Sequence, residues 1–197
     1  MRGVILSEVA DFFDLTILSK LKSTRRYFEE TLNELEGKFP EKEPFADSFS
    51  NMLKKSFLIT TYSILEKELN MLTTFIEVKS NSLIKIEDLK HRGIYRDYTY
   101  LTKVVGFELP SNGNWKKIQT YNKIRNYFIH DARVVLGDKE VKKLSNSLVP
   151  YIKFEKEGKD RYVIKEIDSY IVIDFLNTVQ DFLKSLWDET EKKDYLK

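Results

Sequence analysis

In the run Lys123-Ile124-Arg125-Asn126-Tyr127-Phe128-Ile129-His130-Asp131, an arginine is followed at once by an amide. Four residues after that amide comes one of the chain's two histidines. On a helix Asn126 and His130 stack on one face, with Asn122 one turn earlier on the same face. Arg125 sits about 100° round from Asn126, and its long side chain reaches across the stripe. Two amides and an imidazole in a row, flanked by a guanidinium, suit phosphodiester chemistry. Imidazole is the side chain whose unperturbed pKa lets it accept or donate a proton near neutrality, so His130 would be the general acid or base. The guanidinium of Arg125 is permanently charged, matches two phosphate oxygens and would stabilise a developing phosphorane. Asn126 would orient the imidazole or hold a phosphate oxygen. The same residues also fit a plain structural role. A histidine near a helix end can pack or complement the helix dipole, and Arg, Asn and His can form a surface network with Asp131.

No metal-ligand set accompanies these groups. The chain has no cysteine and two histidines, so Cys-zinc sites, iron–sulfur clusters, disulfides and thiol catalysis are excluded. No cofactor is expected: there is no phosphate-cradling glycine loop, no HExxH and no Gly-x-Ser-x-Gly elbow. Without a metal to activate water, the available nucleophile is the substrate's own 2′-hydroxyl, which points to RNA rather than DNA.

The motif must sit on a helix, and helical periodicity runs through most of the chain. Leu6, Ala10, Phe13, Ile17, Leu21, Thr24, Phe28, Leu32 and Leu35 step by three or four and draw one apolar stripe. Gly37 and Pro40 end that helix. Pro44 opens the next segment, with Asp47 or Ser48 as its cap. Leu58, Tyr62, Leu65, Leu69, Leu72 and Ile76 form a seam suited to antiparallel bundle packing, over a helix reaching about Val78. Short helices are expected around Ile86–Lys90 and Tyr95–Val105, and a turn at Pro110-Ser111-Asn112-Gly113. Asn114 then caps the motif helix, whose apolar positions are Trp115, Ile118, Ile124, Tyr127, Phe128 and Val134 or Val135; Gly137 stops it. Tyr151–Glu155 and Arg161–Lys165 alternate about Gly158-Lys159-Asp160, which predicts a small two-stranded hairpin over about 151–165. Asp168 or Ser169 starts the last helix, with Val172, Leu176, Val179, Leu183 and Leu186 on one seam. The fold class is therefore all-α: a bundle of four to five main helices in one domain over 1–197, with a hairpin before the last helix.

Composition agrees with that. A chain of 197 residues with 13 Phe and 11 Tyr can bury a proper core. Its net charge is only +2, but between Lys90 and Arg133 nine basic residues face three acids, whereas from Lys165 onward five lysines face eight acids. The first region could meet a polyanion. Its candidate RNA contacts are Asn122, Arg133, Lys123, Lys116, Lys117 and Arg96; ordinary solvated helix faces are the plainer reading. His91 reads as a surface residue. Tyr95, Tyr98 and Tyr100 read as packing tyrosines before base-stacking ones. The longest uncharged stretch is the ten residues Ser56–Leu65, about half a membrane span. Acidic Glu8 and Asp11 argue against a signal peptide. A cytoplasmic location is expected.

The segment Arg125-Asn126-Tyr127-Phe128-Ile129-His130 resembles the R-x(4–6)-H motif of the HEPN superfamily, in which the residue after Arg is polar, often Asn. Tyr62-Ser63-Ile64-Leu65-Glu66 resembles the aromatic-x-x-Leu-Glu helix of many prokaryotic HEPN proteins. The resemblance covers about residues 46–190. It implies a HEPN-like helical bundle and a metal-independent endoribonuclease of toxin–antitoxin, abortive-infection or antiviral-defence type. It also implies a homodimer in which two copies of the motif meet, with Arg125, Asn126 and His130 as catalytic set and an antitoxin or other defence-system protein as partner. Some HEPN domains are non-catalytic and bind RNA, a nucleotide or a partner while dimerising. A structural bundle within a larger defence complex is a further alternative.

Overall fold

The computed structural model describes residues 13–38, 44–111, 113–130, 135–144 and 148–195. They are mostly helical. Helix α1 (Ser19–Lys38) follows a π-helical turn at Phe13–Leu18. Its stripe buries Ile17, Leu21, Phe28 and Leu32, as its spacing predicts; Leu6 and Ala10 lie outside the described residues. Helix α2 (Pro44–Ser80) is the longest at 37 residues. Pro44 is its first residue, where a preset φ and a missing N–H cost nothing. Asp47 and Ser48 therefore lie inside the helix, not at its cap. The expected seam is buried at Leu58, Tyr62, Leu65, Leu69 and Ile76. Asn81 (φ 49°) turns the chain out of α2 through the left-handed region, and the Glu77 carboxylate accepts the Ile86 N–H at 2.6 Å.

Helix α3 (Ile94–Thr99) continues as a π-helical turn, Tyr100–Val104. Helix α4 (Asn114–His130) carries the motif. It ends before the expected stop: Val135–Gly137 is a strand, β1, so Val135 is not a helical position and Gly137 instead precedes α5 (Asp138–Lys143). Residue 134 lies outside the described residues. Strands β2 (Ile152–Gly158) and β3 (Arg161–Ile167) form the predicted hairpin about Lys159 and Asp160. Asp160 turns it at φ 61°, a conformation its short polar side chain tolerates. β1 adds antiparallel to the free edge of β3, pairing Val135 with Val163 and Gly137 with Arg161. The element is thus a three-stranded sheet in the order β1-β3-β2, because three residues of β1 supply partners too distant in sequence for periodicity to reveal. Helix α6 (Ser169–Lys192) starts where Asp168 accepts the Tyr170 N–H at 2.7 Å. Its seam is buried as predicted.

The chain divides into two compact units. Unit 1 comprises Met1–Leu21, Ser63–Asn114 and Val179–Lys197; unit 2 comprises Lys22–Tyr62 and Trp115–Thr178. Unit 1 buries Leu65, Leu69, Ile94, Tyr100, Leu101, Val179 and Leu186. Unit 2 buries Phe28, Leu58, Ile118, Tyr121, Ile124, Ile167 and Phe175. In unit 2 the sheet is tied to α2 by Asn51, whose amide donates to the Lys165 carbonyl at 2.6 Å and accepts the Ile167 N–H at 3.3 Å. Among the described residues no helix is long and apolar enough to cross a membrane.

Candidate active site

Within unit 2, α4 is held from two sides. Against α6, the buried Tyr121 donates its hydroxyl to Asp174 Oδ2 at 2.6 Å and stacks on Phe175, ring centroids 4.3 Å apart. Burial first, and the Asp174 carboxylate second, push the Tyr121 phenol far up. Lys117 donates to Asp174 Oδ1 at 3.0 Å. Its charge is therefore met inside the protein, which leaves Lys116 and Lys123 as the exposed lysines of α4.

Against α2, the Arg125 guanidinium lies 4.7 Å from the Tyr62 ring centroid and the Lys55 ammonium lies 5.1 Å from that of Phe128. Tyr62 follows Lys55 by two helical turns and Phe128 follows Arg125 by one. Both pairs lie on one seam along which α2 and α4 run antiparallel. Arg125 donates from Nη1 to Asn126 Oδ1 at 2.9 Å. Its Nε is buried without a hydrogen-bond partner among the described residues. The polar stripe is therefore not the solvated flank its pattern implies: Arg125 is half-buried and packs on an aromatic face, because its long apolar stem follows the seam while the charged end stops at the ring.

Neither Lys55 nor Arg125 has a carboxylate within ion-pair distance among the described residues. Burial pushes the Lys55 ammonium below its usual value. Two half-buried cations with no counter-ion among the described residues favour an anion from outside.

Asn122 and Asn126 are half-buried on the expected face. His130 is the last residue of α4, one turn beyond Asn126; its side chain lies outside the described residues, as do Asp131 and Arg133. The structure thus joins Arg125 to Asn126. Arg96 belongs to unit 1. Lys55 was not singled out by sequence, since it lies outside the basic window; its one available signal is the two-turn spacing from Tyr62.

Unit 1 has its own buried polar cluster. Asp97 is 1% exposed. Burial pushes its carboxyl up; the Arg96 guanidinium and a hydrogen bond with Asn70 oppose that, and Glu66 adds to it. Asp97 Oδ1 and Arg96 Nε are both buried without a partner among the described residues. Gly93, at φ +54°, brings the backbone so close to Glu66 that a Cβ there would meet its Oε1 at 3.2 Å. His91 is exposed, as expected. Tyr100 is fully buried and Tyr98 stacks on Phe182, so both pack rather than present a ring to a base. Among the described residues no three His, Asp or Glu side chains gather as a metal-ligand group.

No protein-family model, curated protein or solved structure matches the chain.

Proposed function

We propose that the protein is a metal-independent endoribonuclease of toxin or antiviral-defence type, built on a HEPN-like helical domain. In this reading Arg125 stabilises the charge that develops on the phosphorus oxygens, Asn126 orients, and His130 transfers the proton. The 2′-hydroxyl of the RNA attacks the adjacent phosphorus, the 5′-oxygen leaves with a proton, and a cyclic phosphate remains. The observation that carries the reading is the pair of half-buried cations, Arg125 and Lys55, with no acid partner among the described residues, on the seam beside Asn126. A phosphodiester supplies the missing negative charge. One imidazole does not readily serve as base and acid in one turnover, so the active form is a homodimer that brings two motif helices to one cleft. An antitoxin or other defence-system protein would hold it in check.

The deciding experiment incubates purified protein with RNA in EDTA. Cutting supports catalysis. A gel shift without cutting supports the second reading, a HEPN-like module that binds RNA, a nucleotide or a partner. One observation favours that alternative: Arg125 is already engaged by Tyr62 and Asn126, as a packing residue would be.

A further inference from the structure

We infer that Lys55 is a phosphate-binding residue of this same site, its ammonium meeting a phosphate oxygen of the RNA strand that Arg125 also holds; the inference rests on the ribonuclease reading for its ligand. Three of the other described lysines that are not fully exposed are ion-paired, and the fourth, Lys193, lies in the field of the Glu189 carboxylate. Lys54, the neighbour in sequence, is buried and lies 3.8 Å from the Glu166 carboxylate. Lys117 is paired with Asp174 at 3.0 Å. Lys20 is paired with Glu68 in unit 1 at 2.5 Å. Among the described residues Lys55 has the face of Phe128 in place of a carboxylate, and a ring face returns only part of the hydration that an ammonium loses. An apolar residue would pack this seam without that cost, so the charge is kept for something outside the protein.

Placement supports the same conclusion. Asn51, one turn before Lys55 on the same face of α2, is fastened to the backbone of β3 at Lys165 and Ile167. Lys55 therefore leaves a rigid stretch of helix, as a positioned binding group requires. Phe128, which carries the ammonium, stands one turn from Arg125. Both cations thus lie along one seam, and the diester oxygens of a nucleic-acid strand can meet such a row of charge without needing base identity.

The test uses two probes, a short 2′-O-methyl oligonucleotide that cannot be cut and inorganic pyrophosphate. Binding of the oligonucleotide is measured against salt for wild type, Lys55→Gln, Lys55→Arg and Lys159→Gln, a charge control at the exposed hairpin turn. In parallel, reductive methylation of wild-type lysines is followed by mass spectrometry with and without each probe. Lys55→Gln should bind about tenfold more weakly with a salt slope lower by about one, Lys55→Arg and Lys159→Gln should bind like wild type, and both probes should protect Lys55 from methylation. If folded Lys55→Gln binds with wild-type affinity and slope, the inference is overturned while the ribonuclease reading stands. If wild type neither binds nor cuts RNA, that reading falls, and the pyrophosphate footprint decides the inference: protection of Lys55 keeps a phosphate site there, and no protection removes it. If Lys55→Gln does not fold, the wild-type footprint decides instead: protection of Lys55 by the probes keeps the inference and no protection removes it.

Discussion

The guanidinium of Arg125 lies 4.7 Å from the ring centroid of Tyr62, so the residue assigned to hold phosphate also fastens α4 to α2. Substitution of Arg125 therefore has two consequences that must be separated. Arg125→Ala should lose cleavage and also melt lower, by about 1 kcal/mol or roughly 2–4 °C for a chain of this size. Arg125→Lys should retain most of the stability but still lose much of the activity, because an ammonium cannot present the planar fork. Paired melting curves and cleavage rates check this. Full activity in Arg125→Lys would mean that only a positive charge is required.

His130→Ala should reduce the cleavage rate by about 10² or more, the usual worth of a positioned acid–base group. The comparison is made on protein whose far-UV spectrum matches wild type. Normal cutting by the folded variant would remove the motif assignment.

RNA carrying 2′-deoxy or 2′-methoxy at the scissile position should resist cutting, and the products of normal RNA should end in a cyclic phosphate that EDTA does not prevent. Activity lost in EDTA and restored by magnesium would defeat the mechanism.

Mixing His130→Ala with Arg125→Lys should restore part of the activity if one cleft draws on both protomers, since a mixed dimer keeps one intact group of each kind. A protein that stays monomeric at micromolar concentration in sedimentation would leave RNA binding as the better reading.

Asp97 gives a pH prediction that does not depend on the ribonuclease reading. Burial raises its folded-state pKa above the ordinary 3.8. The folded protein therefore holds the Asp97 proton more tightly than the unfolded chain, and stability falls as pH rises from about the ordinary carboxylate value through the raised one. Asp97→Asn removes that penalty. It should melt higher than wild type at neutral pH, and the difference should shrink as the pH falls toward the ordinary carboxylate range. A lower melting temperature at neutral pH would show that Arg96 and Asn70 outweigh the burial.

Much of this protein is legible in its sequence because helices announce themselves by a period of about 3.6 residues. The stripe through Ile17, Leu21, Phe28 and Leu32, the seam through Leu58, Leu65, Leu69 and Ile76, and the last seam through Val172, Val179 and Leu186 are all buried where the spacing places them. Pairings between distant segments carry no such local signal. That β1 joins β3 five residues after the motif helix depends on strands whose partners lie some 25 residues apart. Tyr121 was not among the apolar positions expected of the motif helix, yet it is fully buried, because its hydroxyl finds Asp174 on a helix more than fifty residues away. The same holds at the candidate site. The spacing of Arg125, Asn126 and His130 belongs to the sequence. That Arg125 rests on Tyr62, and that Lys55 meets the ring of Phe128, were decided only when α2 and α4 packed side by side, since burial and contact belong to neighbours in space.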